Sequence, residues 1–436
     1  MILARYLFWR QIVTMDTAHQ LQDLQLPLFP ATEDNSADST LRLATVALVG
    51  VCAFLNLYAA QPLLPTLSRV FGTSPQHASL LVGGPTLAVA FSAPFLGMIS
   101  ERFGRRRTLI ASLFGLAIPT LLAATSKTFG QLLFWRILTG LFMPGIITSA
   151  MAFISEEWGK EAPKAISLYV SGSVLGGFLG RMLAGTIGEH GGWRLAFVVL
   201  GTTTLVGSLA VQHWLPQSQT RQASAPQTDW GTEIVHHLRN RRLLATYALG
   251  FGVLFSLVAI FTFLAFHLEG APYHLGPAGQ AMIFLVYLLG IVITPISSGW
   301  IRQYGASRTV LAALALSCLG VFLTLALPLS LVIAGVALCT TGVFVCQAAA
   351  SSFVGQSADR SRSVAAGLYV SCYYAGGSAG AWFAGLAWHR AGWIGCVALV
   401  VAVQLACALT VYLFWQAPPK SVISQEELTP EDAFAA

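Results

Sequence analysis

Long apolar segments alternate with short polar segments along almost the whole chain. A membrane-spanning helix needs about 20 mainly apolar residues, and twelve segments of this kind can be placed, six in each half of the chain. Numbered spans 1 to 12, they cover residues 41–64, 77–98, 107–126, 129–154, 165–188, 193–215, 243–267, 277–300, 309–327, 331–354, 365–388 and 393–415. The pattern predicts an all-α membrane protein of twelve transmembrane helices.

The two halves of the chain resemble each other. Residues 165–193 match residues 365–393 without a gap at twelve of 29 positions. The run Gly97–Thr108 returns in weaker form as Gly299–Thr309, at nearly the same offset. Long internal repeats in an apolar chain are typical of transporters built from two related halves. The repeat therefore predicts two homologous six-helix bundles.

The intervening polar segments predict five parts of the chain. These are a mobile tail, an N-terminal bundle, a linker, a C-terminal bundle and a second tail, at residues 1–40, 41–215, 216–242, 243–415 and 416–436. The linker is rich in Gln, Ser and Arg, and a short surface helix is expected around Trp230–Arg239. Both tails and the linker are expected in the cytoplasm.

Composition and charge agree with a membrane location. Hydrophobic residues make up 55% of the chain and charged residues 10%, whereas soluble domains carry about a quarter charged residues. Of the 24 Lys and Arg residues, 18 fall on the side that holds both termini and only Arg69, Lys127, Arg194 and Arg390 on the other. The positive-inside rule then predicts cytoplasmic termini. The net charge of +6 reflects this bias, so we do not predict nucleic-acid binding.

Nothing in the sequence indicates an enzyme. The nucleotide-binding pattern G-x-x-x-x-G-K-[ST], the zinc pattern H-E-x-x-H and the redox pattern C-x-x-C are all missing. All seven cysteines fall within the predicted spans, which suggests neither disulfides nor a metal site. A channel or sensor gives no reason for two homologous halves, so a transporter is the preferred interpretation.

The loop between spans 2 and 3 reads G-M-I-S-E-R-F-G-R-R-R. It resembles the signature loop of the major facilitator superfamily, G-x-x-x-D-R-x-G-R-[RK]-[RK], with Glu101 in place of Asp. In span 4, Arg136-Ile-Leu-Thr139-Gly140 resembles the R-x-x-q-G motif of that superfamily. In span 5, the run from Gly172 to Arg181 resembles the antiporter motif G-x-x-x-G-P-x-x-G-G, with Gly177 in place of Pro and Arg181 in place of the last Gly.

The resemblance implies a function. It is closest to the bacterial inner-membrane efflux branch, which includes drug and sugar exporters. It implies a monomeric secondary transporter in the lipid bilayer that exports a small-molecule substrate in exchange for protons, with the proton gradient as energy source and no cofactor. The alternatives are a proton-independent facilitator, an anion exchanger or a lipid flippase of the same fold.

The resemblance also implies a cytoplasmic gate. Its predicted residues are Gly97, Glu101, Arg102, Gly104, Arg105 and Arg106. Glu101 would lie against the amino end of span 11, near Ser363–Ala366, where the helix dipole favours an anion. The alternative is that these arginines only anchor the loop on the positive side of the membrane.

Glycines recur along spans 5 and 11. We interpret them as helix-packing residues, because small residues let helices approach closely in lipid; they could also form seams on which the halves rock. They are Gly172, Gly176, Gly177, Gly180, Gly376, Gly377 and Gly380.

Arg136 and Arg181 are the two basic residues inside spans, and a charge within the membrane marks a functional site by default. We predict that they contact substrate or take part in coupling. Alternatively, Arg136 binds backbone carbonyls and Arg181 reaches the interface. At the position equivalent to Arg181, span 11 has Ala381.

None of the predicted spans has a carboxylate at its centre. Protons would then use terminal groups such as Glu156, Glu269 or His267, or the substrate itself would be neutral or anionic. The polar and aromatic residues at mid-span predict the wall of a central site: Asn56, Tyr58, Gln61, Tyr169, Tyr287, Gln347, Tyr369, Tyr373 and Tyr374.

Overall fold

The computed structural model of the chain describes residues 36–217, 230–357 and 362–415. These residues form helices joined by short turns, and they contain no β-strand. In chain order the helices are α1 Ser36–Leu55, α2 Leu64–Val70, α3 Pro75–Ala78, α4 Leu80–Phe103, α5 Arg105–Ala123, α6 Phe129–Glu157, α7 Ala162–Trp214, α8 Trp230–Arg239, α9 Arg241–Glu269, α10 Pro277–Ile283, α11 Leu289–Tyr304, α12 Ala306–Leu323, α13 Leu329–Ser357 and α14 Arg362–Phe414. Three 3-10 segments, Gln61–Leu63, Gly159–Glu161 and Phe284–Leu288, complete the described elements.

The predicted all-α membrane fold is confirmed. Nine helical stretches among the described residues are long and apolar enough to cross a membrane. Two of them, α7 and α14, contain non-helical residues, at Gly192 and at Ala391–Gly392, and each therefore supplies two spans. A shorter apolar helix, Thr40–Leu55, begins span 1 and completes the twelve within the described ranges.

The predicted tails lie largely outside the described residues. Helix α1 begins at Ser36, inside the segment expected to be a tail, and α8 lies where the linker helix is expected. Residues 1–35, 218–229 and 416–436 are not described, so the five-part division remains a prediction.

Glycine at two turns allows the chain to leave one span and enter the next. Gly104, between α4 and α5, has a φ of 96°, and Gly305, between α11 and α12, has a φ of 85°. Side chains with a Cβ rarely adopt such angles, whereas glycine does so at little cost. The two turns occupy equivalent places in the internal repeat.

Spans 1 and 5 pack backbone against backbone. Three glycines of span 5 lie against three carbonyl oxygens of span 1: Gly172 against Ala47, Gly176 against Val51 and Gly180 against Leu55. Both sets recur every four residues, so one face of each helix follows the other. By contrast, a Cβ at Gly177 would meet only the Arg181 guanidinium, 3.5 Å away.

Spans 7 and 11 repeat this arrangement in the second half. Gly376 and Gly380 lie against the carbonyl oxygens of Phe251 and Phe255, whereas Gly377 lies against the side chain of Leu254. These seams join helices of the same half. These seams therefore do not form the interface between the halves, where a rocking motion would take place.

Span 1 is broken near its middle, which the hydropathy pattern does not predict. Helix α1 ends at Leu55, irregular turns cover 56–60, and the helix resumes through Gln61–Leu63 and α2. A break of this kind frees backbone carbonyls, and in lipid each of them must find another donor.

Arg136 supplies those donors. Its guanidinium is 1% exposed and donates to the carbonyl oxygens of Asn56 at 2.8 Å and Leu57 at 2.5 Å. Its Nε donates to the carbonyl oxygen of Leu81 at 3.2 Å. Proline at position 85 has no N–H, so the Leu81 carbonyl lacks its usual helical donor. Arg136 therefore satisfies backbone acceptors of both span 1 and span 2.

Gly140 lets Arg136 reach these acceptors. A Cβ at Gly140 would collide with the carbonyl of Pro85, so glycine is needed where span 4 crosses span 2. The four-residue spacing from Arg136 to Gly140 thus has a structural reason. Gly140 lets span 4 approach span 2 closely, and Arg136, one helical turn away, donates hydrogen bonds to the freed backbone carbonyls.

The role of Arg136 predicts a large loss of stability in Arg136→Gln. The buried carbonyls of Leu57 and Leu81 would lose this donor and that of Asn56 would keep only the 3.4 Å hydrogen bond from the N–H of Ala59, and each unsatisfied group costs about 1–3 kcal/mol. We expect a clearly lower melting temperature in detergent. Arg106→Gln is the matched control, since Arg106 also donates to two carbonyls, those of Leu215 and Gln212, but at a partly exposed position. Equal losses in the two variants would contradict this role.

The glycine seam predicts a sharp difference between neighbouring residues. Gly176→Ala places a methyl group on the carbonyl of Val51, whereas the methyl group of Gly177→Ala finds space. Overpacking of this kind costs about 1–3 kcal/mol. We expect a lower melting temperature for Gly176→Ala and little change for Gly177→Ala. Similar melting temperatures for both variants would contradict the packing described here.

Candidate functional site

Arg181 lies at the centre of the candidate site. Eight residues of helix separate it from Glu189, which is about 12 Å along the axis. It is 1% exposed. Its Nε donates to Oε1 of Gln61 at 2.7 Å and its Nη1 to the carbonyl oxygen of Gly177 at 2.6 Å. Arg181 is therefore held within the membrane and does not reach the interface.

Three aromatic rings surround the guanidinium. Its Cζ lies 4.3 Å from the ring centre of Tyr287, 4.8 Å from that of Phe284 and 4.9 Å from that of Tyr58. Its Nη2 also donates to the Tyr287 hydroxyl at 3.2 Å. Aromatic faces attract cations, more strongly when water is excluded. We call Arg181, Tyr58, Phe284 and Tyr287 the arginine cage.

Both halves of the chain contribute to the arginine cage. Tyr58 lies within the break in span 1, and Phe284 and Tyr287 belong to the 3-10 segment in the middle of span 8. Mid-helix 3-10 segments are frequent at functional sites. Gln61 adds a second connection, because its Nε2 donates to the hydroxyl of Thr262 in span 7 at 3.2 Å.

No carboxylate neutralises the cage within the described part of the chain. Acidic residues there lie at helix ends or in turns: Asp38, Glu101, Glu156, Glu157, Glu161, Glu189, Glu233 and Glu269. Arg181 uses three of its five N–H donors on Gln61, Gly177 and Tyr287. A buried cation with spare donors and no anion is therefore the main electrostatic feature of the site.

Tyrosines of span 11 lie close to one another. The rings of Tyr373 and Tyr374 meet edge to face, with ring centres 5.3 Å apart. Tyr373 lies in turn against Tyr369, with ring centres 6.1 Å apart.

The Tyr58 hydroxyl has no hydrogen-bond partner among the described residues. The Tyr369 hydroxyl, in contrast, donates to Oε1 of Gln347 at 2.9 Å. The Tyr169 hydroxyl is likewise unpartnered, but it is the Tyr58 ring that lies against the Arg181 guanidinium.

Other residues predicted from the sequence lie behind the site. Asn56 donates through Nδ2 to the Thr204 hydroxyl at 2.8 Å, within the first half. Arg136 binds the backbone of the span 1 break, so the two arginines do not face each other. At the position equivalent to Arg181, Ala381 packs against Gly83 of span 2.

One end of the bundle, defined by Arg69, Glu189 and Glu269 and called the Glu269 end, joins the two halves. Arg69 and Glu269 form an ion pair. Glu189 accepts a hydrogen bond from the backbone N–H of Ala278 at 2.7 Å. Deeper in the membrane, the Ser79 hydroxyl donates to the carbonyl oxygen of Ala381 at 3.0 Å. The halves are therefore in contact from this end down to the cage.

The opposite end, called the Arg105 end, carries the predicted gate motif. Arg105 lies 3.2 Å from Glu156 and 3.9 Å from Glu101, and Arg106 donates to backbone carbonyls at the end of span 6. Arg102 is exposed. The contacts of Arg105 and Arg106 bind helix ends of the first half together.

The predicted contact of Glu101 with span 11 remains a prediction, since the side chain of Ser363 is outside the described residues. Space is open near this end: a Cβ at Gly97 or Gly367 would meet nothing within 4 Å.

Phe284 and Thr262 were missed from the sequence. Each is one of many apolar or hydroxyl residues within a span, and neither belongs to a recognisable motif. Only their position beside Arg181 and Gln61 distinguishes them.

Comparison with known proteins agrees with this architecture. Residues 46–381 match the family model of the Major Facilitator Superfamily. The chain is 31% identical to the MFS-type transporter YybF of Bacillus subtilis, over 82% of this chain and 89% of the relative. It is also 31% identical to the inner membrane transport protein YnfM of Escherichia coli, over 83% and 87%.

A solved structure has the same fold. It is a bacterial homologue of the human lysosomal transporter Spinster, in an inward-facing and occupied conformation, with a TM-score of 0.70 and 15% identity over 87% of this chain and 99% of that one. Together, the apolar helices, the internal repeat, the matched family model and the relatives show that the chain belongs to the major facilitator superfamily of membrane transporters.

Proposed function

We propose that this chain moves a small organic molecule by alternating access and exports it across the bacterial inner membrane in exchange for protons. One observation carries the proposal: the arginine cage lies between the halves at mid-depth, where spans 1 and 8 both leave regular α-helical geometry. Substrate sites of secondary transporters lie near the midplane and are formed by discontinuous helices. We expect the monomer to be the working unit.

The distribution of Lys and Arg supports an orientation. The Arg105 end belongs to the basic side of the chain, so we place it in the cytoplasm and the Glu269 end outside. The conformation described here is then closed to the outside by the contacts of Arg69, Glu189 and Ser79. The solved structure of the Spinster homologue is also described as inward-facing.

Alternation would exchange these contacts for others. Opening to the outside must break the pairs Arg69–Glu269 and Glu189–Ala278 and separate Arg181 from Tyr287, because each joins one half to the other. The glycine seams within each half would be kept, since they hold spans of the same half together. Each half would therefore move as a unit.

Glu269 is the proposed proton-carrying group. The described spans have no carboxylate at their centre, whereas Glu269 lies at the closing contact and is exposed to the outside once that contact opens. A proton taken up there from the outside, and released toward the cytoplasm after the contact has closed again, would complete the exchange for the exported substrate. The mid-span lack of carboxylates also favours a second candidate, a proton-independent exchanger.

A disulfide across the halves should stop transport. The Cβ of Gln76 lies 3.0 Å from the Cβ position of Gly385, slightly closer than the roughly 3.8 Å of a disulfide. We expect the pair Gln76→Cys with Gly385→Cys to form a disulfide on oxidation and to lose flux in proteoliposomes, with recovery on reduction. The Gln76→Cys single variant and the reduced double variant should keep their flux; Gly385→Cys alone is not used as a control, because its Cβ would meet Cγ of Gln76 at 2.7 Å. Full flux in the oxidised double variant would contradict alternating access at this end.

Glu269→Gln should separate transport from proton movement. The amide cannot exchange a proton, so substrate exchange is expected to continue while substrate-driven acidification or alkalinisation of the vesicle lumen disappears. A pH-sensitive dye in the lumen measures the second quantity, and labelled substrate measures the first. Arg69→Gln is the control, because it breaks the same ion pair but leaves the carboxylate. If proton movement persists in Glu269→Gln, a different group couples protons to transport. If the parent itself moves no protons, the proton-independent exchanger is favoured.

A further inference from the structure

The arginine cage has no negatively charged partner among the described residues. Its guanidinium is buried, hydrogen-bonded and surrounded by aromatic rings, yet no carboxylate contacts it within the described residues. Burying an isolated cation is costly, and aromatic faces offset only part of the cost. Because burial of this guanidinium is costly, we expect Arg181 to have a function at the site.

We infer that the arginine cage binds the acidic head of the transported molecule, and that the substrate is a small organic anion with a carboxylate or sulfonate group on an apolar body. This inference rests on the proposed function and names the substrate class of the same site. Arg181 has two N–H donors left over, and the unpartnered hydroxyl of Tyr58 lies on a ring at its side. Carboxylates and sulfonates accept several such donors at once.

The cage would come apart when the halves part at the Glu269 end, which is the step that carries a bound anion to the outside. Arg181, Tyr58 and Gln61 belong to the first half, whereas Phe284 and Tyr287 belong to the second. Separation removes the Tyr287 hydroxyl from Nη2 and two aromatic faces from the guanidinium, which leaves the cation more poorly compensated than in the closed state. An anion bound to Arg181 would replace the hydrogen bond and the aromatic contacts that the second half withdraws. Its presence would therefore favour the state in which the cage is open.

The apolar body of the substrate has walls of the matching kind. The ring of Phe261 lies 4.8 Å from that of Tyr287, and the ring of Phe344 lies 5.9 Å from it. The Thr262 hydroxyl beside Phe261 is already paired with Gln61. A flat apolar group fits these walls better than a polyhydroxylated one, which would need many partners.

The membrane potential supports this substrate class. An anion that leaves the cytoplasm and a proton that enters it both move in the direction favoured by a negative interior. Export of an anion in exchange for protons therefore needs no further source of energy. A cationic substrate would meet the Arg181 charge at mid-depth without any carboxylate to offset it.

Three probes that share a phenyl ring and differ in charge test the charge preference. Benzenesulfonate is anionic, benzenesulfonamide is neutral and benzyltrimethylammonium is cationic. The purified full-length chain is melted in detergent with each probe, for the parent and for Arg181→Gln, Arg181→Lys and Arg194→Gln. Arg194 is the matched control, because its guanidinium also stacks on an aromatic ring, at 4.3 Å from Trp193, and donates to one carbonyl, but it lies at the Glu269 end.

We expect benzenesulfonate to raise the melting temperature of the parent and of Arg194→Gln, while the other two probes do not. Loss of a hydrogen bond to a charged group corresponds to a roughly tenfold or greater loss of affinity, so Arg181→Gln should bind benzenesulfonate at least about tenfold more weakly. Arg181→Lys keeps the charge and should retain part of the response, which shows that the site is folded. A response limited to the cation, an anion response that survives in Arg181→Gln, or no response to benzenesulfonate would overturn the inference.

Flux of the same probes into proteoliposomes separates this inference from the proposed function. If benzenesulfonate binds through Arg181 but does not cross the membrane, the anion site stands and alternating-access transport of this molecule fails. If the cationic probe crosses with proton exchange while benzenesulfonate neither binds nor crosses, transport stands and the anion site fails. Movement of benzenesulfonate in the parent and its loss in Arg181→Gln support both.

Discussion

The hydrogen bonds from Arg136 to the broken backbone of span 1 hold the rest of the site in place. Without them the carbonyl of Leu57 would lose its donor, and that of Asn56 would keep only the 3.4 Å hydrogen bond from the N–H of Ala59, in a medium that has no water to replace the lost donor. The break that they stabilise turns Tyr58 and Gln61 toward Arg181. Arg181 in turn reaches Tyr287 in the second half. A structural arginine in span 4 thus determines where a functional arginine in span 5 can act.

The two arginines show how similar residues acquire different tasks in a membrane. Both are 1% exposed, but Arg136 donates only to backbone carbonyls that proline and the helix break have freed. Arg181 contacts side chains of both halves and keeps unused donors. The acceptors around each arginine, rather than its burial or depth, therefore distinguish the two residues. Arg136 stabilises the fold, whereas Arg181 keeps donors available for a ligand. At the equivalent positions, 200 residues further along the chain, the second half has Val336 and Ala381, so both arginines are specific to the first half.

Much of the fold follows from the sequence, because apolar length and the 200-residue repeat are strong signals. The twelve spans, the glycine packing of spans 5 and 11 and the importance of both arginines are visible there. The break in span 1 was missed because the hydropathy pattern continues through residues 56–60; the signals lay in Pro62, which follows the break directly, and in Arg136, which donates to the freed carbonyls. Phe284 was missed because an apolar residue among many others carries no sign of its distant partner. Long-range contacts of this kind depend on how the halves meet, which local patterns do not encode.

The central claim is that the two halves alternate around the arginine cage. Distances between spin labels in lipid test it most directly, with one pair at Lys127 and Arg390 on the Glu269 end and another at His213 and Tyr304 on the Arg105 end, all of them exposed positions. If the halves alternate, the two distances change in opposite directions: a state with a longer Lys127–Arg390 distance has a shorter His213–Tyr304 distance. Two distances that stay fixed, or that lengthen together, would contradict it.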